Sequence, residues 1–280
     1  MIMTKKPVKK TILNILFTVF TISVLIPLIY TVIISFSDIG SLYDEGIGRI
    51  SFTLRNYEKL FSETNFGIWM LNTFIVSVIT AFFSVAVTLI SAHTFSRADF
   101  RGRKWLLIVF LILQMFPGPL SMIAIFKILQ IMGLINTLSG LIFVYVGITL
   151  PATIWIMKGY FDSTSVSIEE SAVIDGASWW QLMTRIVFPI AKPMISVIIV
   201  YNFIICYNEF VLSSIILTGS KYYTVARGLR TFAEEGFGTN WPVFAAGAVL
   251  SSIPILFFFY LIQDFFISGF TSAFSSSVKE

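Results

Sequence analysis

Six long apolar runs divide this chain, at roughly Thr11–Phe36, Ile68–Phe95, Trp105–Leu129, Leu138–Met157, Met194–Leu217 and Val243–Ile267. A helix needs about 20 mostly apolar residues to cross the hydrocarbon of a bilayer. Each run meets that length, so the pattern predicts six membrane-spanning helices. The first follows the polar stretch MIMTKKPVKK. It is too long for the apolar centre of a signal peptide and no small-residue cleavage site follows, so it reads as a retained span. Pro27, Pro117 with Pro119, Pro151 and Pro254 fall inside the runs. Each removes a backbone donor and is expected to bend or break its helix, either as a packing kink or as a bend lining a pathway.

The polar gaps set the orientation, because Lys and Arg concentrate in cytoplasmic loops. With the N-terminus inside, that side holds Lys5, Lys6, Lys9, Lys10, Arg97, Arg101, Arg103, Lys104, Lys158, Arg185, Lys192 and Lys279. The outer side holds only Arg49, Arg55, Lys59, Lys127, Lys221, Arg227 and Arg230, in longer loops beside Asp44, Glu45, Glu58, Glu63, Glu234 and Glu235. Both termini are therefore expected in the cytoplasm. The fold class is an all-α membrane protein with six transmembrane helices.

One gap departs from the rest. Residues 164–193 are polar and acidic, yet carry helix signals. Ser167 and Glu170 have the S-x-x-E spacing of a capping box, and Gly176 stands where a left-handed residue closes a helix. Ser178 and Gln181 repeat the spacing and open a second helix, with Trp180, Met183 and Val187 along one side, which is expected to end before Pro189. Two short capped helices meeting at a glycine are predicted, with Glu169, Glu170 and Asp175 decorating the first helix and the bend. Helices that lie on a membrane surface favour Lys and Arg on their polar face. An acidic pair on the cytoplasmic side fits a plug for another protein better.

Composition narrows the classes. Of 280 residues 56% are hydrophobic and 12% charged, where a soluble domain has about 25% charged. With a mean hydropathy of +0.88, the chain belongs in a bilayer. The net charge of +4 is explained by topology, so no nucleic-acid partner is expected. One cysteine, Cys206, and one histidine, His93, leave no disulfide within the chain, no His or Cys metal cluster and no Ser–His dyad. His93 reads as a structural or interfacial residue. No G-x-x-x-x-G-K-[ST] phosphate loop is present.

The segment Glu170-Ser171-Ala172, Asp175-Gly176-Ala177 and Ile186-Val187-Phe188-Pro189 resembles the EAA loop of permeases of ATP-binding-cassette importers, with Ser171 in place of the first alanine. The likeness extends to the maltose-type, MalG-like sugar permeases. It is carried by Asn72-Thr73-Phe74, Phe95-Ser96-Arg97, Gln114-Met115-Phe116-Pro117, Gly133-Leu134-Ile135-Asn136-Thr137 and Tyr207-Asn208-Glu209-Phe210, and covers roughly residues 55–270. The resemblance implies an ABC importer type I permease fold in a bacterial cytoplasmic membrane, and no enzyme activity in this chain. It implies a tail and first span over 1–66, a permease domain over 67–268 and a cytoplasmic tail over 269–280. That tail is serine-rich where the family often carries glycine. The implied partners are a MalF-like sister permease, a MalK-like ATPase dimer that holds ATP and Mg, and an extracytoplasmic sugar-binding protein. The chain itself would bind no cofactor and no metal.

In that family the EAA loop docks in a cleft of the ATPase. The resemblance therefore makes Glu169, Glu170, Ser171, Ala172, Asp175, Gly176, Ala177, Trp180 and Pro189 the coupling residues. For the substrate pathway the candidates are Gln114, Tyr207, Asn208 and Glu209, Glu209 being the one carboxylate placed within a span. A charge at mid-bilayer costs roughly 2.5–3.5 kcal/mol and must face the bundle or water, so Glu209 either bonds sugar hydroxyls or holds helices together. Tyr145, Trp155, Tyr201 and Tyr207 offer aromatic faces suited to sugars. An ion-coupled secondary transporter is the alternative, although no internal repeat supports it.

Overall fold

The computed structural model describes residues 6–38, 52–115, 118–234 and 240–277. Among them the chain is helical: α1 (Lys6–Ser35), α2 (Arg55–Ser62), α3 (Phe66–Arg97), α4 (Arg103–Met115), α5 (Gly118–Ile131), α6 (Leu138–Asp162), α7 (Ser167–Ile174), α8 (Trp179–Leu182), α9 (Phe188–Asn208), α10 (Val211–Ile216), α11 (Val225–Glu234) and α12 (Trp241–Ser277). Among the described residues, five helices are long and apolar enough to span a membrane. The remaining predicted span, Trp105–Leu129, third along the chain, is covered by α4 and α5. Its Phe116 and Pro117 lie outside the described residues, as do Lys5, Asp44, Glu45, Arg49, Glu235 and Lys279. Pro27, Pro151 and Pro254 sit inside helices that continue through them, so none of the three breaks its helix.

Packing divides the chain into two compact units, Met1–Phe66 with Leu229–Ile253, and Gly67–Gly228 with Pro254–Glu280. In the first, the end of α1 is stitched to α2. The Asn56 amide donates to the carbonyls of Ser35 and Ser37 at 3.0 and 2.7 Å, and Ser35 Oγ meets Tyr57 OH at 2.8 Å. From Leu13 to Ser35 α1 is almost bare, with 6% of its apolar window buried.

The second unit has two apolar clusters. One, at the end bearing Arg97 and Asp162, gathers Ala92, Phe95, Met157, Phe161, Met183, Val187 and Ile198. The other gathers Val76, Leu129, Leu141, Tyr145, Cys206 and Ile216. Along α3 a buried hydroxyl stripe, Thr73, Ser77, Thr80, Ser84 and Thr88, runs at three- and four-residue spacing. Small residues let membrane helices approach closely and bond across the contact. Ser84 meets Thr149 at 2.9 Å and Thr88 meets Thr153 at 2.7 Å, joining α3 to α6.

At the opposite end from Arg97, loops are pinned by side chains. Asn136 has a φ of 57°, and its Oδ1 accepts from the backbone of Thr218 and Gly219 at 3.0 and 2.8 Å. The Asn72 amide donates to the carbonyls of Lys221 and Tyr223, both at 3.0 Å. Side chains of α3 and of the link between α5 and α6 thus hold the link between α10 and α11.

Candidate functional site

The elbow between α6 and α9 is built from local bonds. α7 starts without the expected Ser167–Glu170 box. Val166 is already helical, and its carbonyl accepts from Glu169 and Glu170 N–H at 2.9 and 3.0 Å. Those donors need no cap, and Ser167 Oγ pairs with Ser165 Oγ instead. At the other end Gly176 has a φ of 80°. Ala177 N–H reaches the Ala172 carbonyl and Gly176 N–H the Val173 carbonyl, both at 3.0 Å, a Schellman closure. Ser178 and Gln181 form the expected reciprocal box at the start of α8.

The second helix does not end before Pro189. α8 runs into a π turn, Met183–Val187, and then into α9. Pro189 offers no N–H and crowds the turn before it. The wider turn, closed by Phe188 N–H on the Met183 carbonyl, carries the chain past the proline. Met183 and Val187 point into the core. Trp180 does not; it is 69% exposed and lines an apolar groove of about 780 Å³ with Trp179, Phe82, Leu89, Phe188 and Phe203.

The acids divide. Glu170 and Asp175 are exposed together with Ser171, while Ala172 and Ala177 are half-buried. Glu169 is buried at 7% exposure, so it does not decorate the surface of α7 as expected. Arg97 Nε donates to its Oε1 at 2.9 Å, and His93 Nε2 bonds its Oε2 at 2.8 Å. A buried carboxylate needs partners of this kind, and α3 supplies both. Alongside, Ser96 donates to Asp162 at 2.7 Å, and Arg103 donates to the carbonyls of Ser96 and Ala98. The outer face of α7 is more apolar than acidic, with Ile174 84% exposed and Ile168 and Val173 exposed beside it.

The four pathway candidates are scattered. Gln114 lies on the exposed face of α4, its amide turned back to the Phe110 carbonyl. Tyr207 is buried and Asn208 exposed. Glu209 stands at the break between α9 and α10. Its carboxylate accepts from Tyr145 OH at 2.5 Å, Leu212 N–H at 2.7 Å and Ser213 N–H at 3.1 Å. The predicted run Met194–Leu217 therefore ends its long helix at Asn208 and resumes as short α10, and Glu209 satisfies the donors that this break exposes while tying it to α6. No local signal marks the links from Glu169 to His93 and Arg97, because the partners lie 76 and 72 residues away.

Residues 84–272 match the family described as the binding-protein-dependent transport system inner membrane component. The chain is 37% identical to the maltodextrin transport system permease protein MalD of Streptococcus pneumoniae, over 80% of each chain. It is 37% identical to the galactooligosaccharides transport system permease protein GanQ of Bacillus subtilis, over 88% of each. It is 32% identical to the maltose/maltodextrin permease protein MalG of Vibrio parahaemolyticus, over 89% of this chain and 90% of that one. A chain of a bacterial ABC transporter that imports the acidic polysaccharide alginate shares the fold, with a TM-score of 0.80 at 21% identity, covering 95% of this chain and 99% of that one. The elbow lies wholly inside the matched segment, and this chain belongs to the inner membrane components of binding-protein-dependent transport systems.

Proposed function

We propose that this chain is one of two permease subunits of an ATP-driven importer for a neutral carbohydrate, and that the elbow is its coupling site. The observation that carries the reading is the elbow itself: a helix whose outer face exposes Ile168, Val173 and Ile174 beside Glu170 and Asp175, closed by a left-handed glycine at the basic end of the bundle. Exposed apolar surface rimmed by polar groups marks a protein-binding site. The occupant is a separate ATPase dimer holding ATP and Mg, while a sister permease and an extracytoplasmic sugar-binding protein complete the assembly. The relatives' names, maltodextrin and galactooligosaccharides, support an oligosaccharide as cargo.

In this mechanism, ATP-driven closure of the ATPase pulls Glu170–Ala177 inward and opens the outer face; hydrolysis reverses the motion. A ligand with different affinity for two states drives such a cycle. Residues 67–268 form the permease domain, flanked by 1–66 and a tail over 269–280. Ser171, Ala172, Asp175, Gly176 and Ala177 form the docking elbow, with Trp180 and Pro189 directing its second limb. Exposed Gln114 and Asn208 are the candidates for touching sugar, backed by Tyr207, whereas Glu209 acts as a brace behind them. The ion-coupled alternative draws no support from Glu209, whose two oxygens are already engaged.

The test is uptake of radiolabelled maltotriose into proteoliposomes that contain this chain with its sister permease, ATPase and binding protein. Uptake that requires internal ATP and persists when ion gradients are collapsed is expected. Uptake that follows an ion gradient without ATP would overturn the reading.

A further inference from the structure

The elbow has two limbs, and they are attached differently. The second is continuous with a membrane span, since α8 passes through the π turn into α9. The first, α7, buries a single residue, and that residue is Glu169. Beyond it, only half-buried Ala172 packs on the core cluster of this end. Both oxygens of Glu169 are held from one helix, by His93 and Arg97 at the foot of α3. Arg97 reaches further with its other arm, donating to the carbonyl of Thr164 at 3.1 Å in the link before α7. His93 is steadied edge-on by Phe161 at 5.6 Å.

An apolar side chain would seat α7 as firmly, because buried ion pairs contribute little net stability over apolar contacts of similar volume. What bonds from His93 and Arg97 to both oxygens of Glu169 add is a fixed direction and register. Resting on the coupling role proposed above, we infer that Glu169, His93 and Arg97 form a joint that makes the elbow and α3 move as one body. A displacement at the docking surface then reaches two spans at once: the fifth through unbroken helix, and the second through this joint. All three are positioning residues; none touches cargo or nucleotide.

The experiment uses the whole complex in proteoliposomes and reads maltotriose imported per ATP hydrolysed. Glu169→Ala and Arg97→Ala are each expected to lower that ratio at least tenfold, and the double variant to lower it no further. Should Glu169→Ala fail to assemble with its partners, Glu169→Gln, of the same volume, carries the test with the same threshold. Relinking supplies the decisive arm. In His93→Cys with Glu169→Cys, a short bismaleimide between α3 and α7 is expected to restore the ratio to within threefold of the unsubstituted complex, with buried Cys206 out of reach. A ratio within twofold of the unsubstituted value in the single variants overturns the inference. So does a parallel fall of import and hydrolysis at constant ratio, or a crosslinked pair that stays uncoupled. An unsubstituted complex with no ATP-dependent uptake sinks the importer reading and this inference together; the variant outcomes sink the inference alone.

Discussion

Gly176 holds a φ of 80° with no other atom within 4 Å of where a Cβ would stand. The constraint there is backbone strain rather than crowding. A left-handed residue with a side chain costs roughly 1–2 kcal/mol, and β-branched residues are the least tolerant. Gly176→Val is expected to reshape the bend and cut sugar imported per ATP several-fold, with Gly176→Asn close to the parent protein; paired uptake and hydrolysis assays check this. Glu209 sets a second expectation. Glu209→Ala strands two backbone donors and the Tyr145 hydroxyl, a loss of about 1–3 kcal/mol for each buried unmet group. The melting temperature of the detergent-solubilised protein should fall by several degrees, and Tyr145→Phe should lower it less. Gly176 and the Ser178–Gln181 box were legible in sequence because each is settled within a few residues. The burial of Glu169 was not, since its partners come from another helix.

Elements show the same division. Apolar length alone located the spans, and the third one carries the densest proline cluster, Pro117 with Pro119. The second elbow helix was misjudged at Pro189: local rules count the missing donor but do not foresee a π turn that steps over it. The fifth span was read as continuous through Glu209, although a carboxylate amid apolar residues was a clue that backbone donors nearby were open. The hydroxyl stripe of α3 was readable in principle from its helical spacing. For Thr88 and Thr153, a double-mutant cycle to alanine should give a coupling near 0.6 kcal/mol, the average for hydrogen bonds between membrane helices, and not above about 1.7. Equilibrium unfolding in mixed micelles supplies the measurement.

For the whole molecule the first claim to check is which side faces the cytoplasm. A cysteine placed at Val173, which is 57% exposed, should react with a membrane-impermeant maleimide in inside-out vesicles and stay unlabelled on intact cells. One placed at Tyr222, exposed near the opposite end, should show the reverse. Labelling of both from the same side would invalidate the charge-based orientation and with it the docking role of the elbow.

The distance in sequence between Arg97 and Glu169 has a consequence during synthesis. Ribosomes add roughly 5–20 residues each second, so the cation is made several seconds before the anion that lies 72 residues later. Throughout that interval the guanidinium lacks its counterion and must stay hydrated at the edge of the bilayer. The foot of the second transmembrane helix therefore seats late in biogenesis, after the fourth helix has been threaded, and a ribosome stalled short of residue 169 would leave Arg97 open to aqueous reagents.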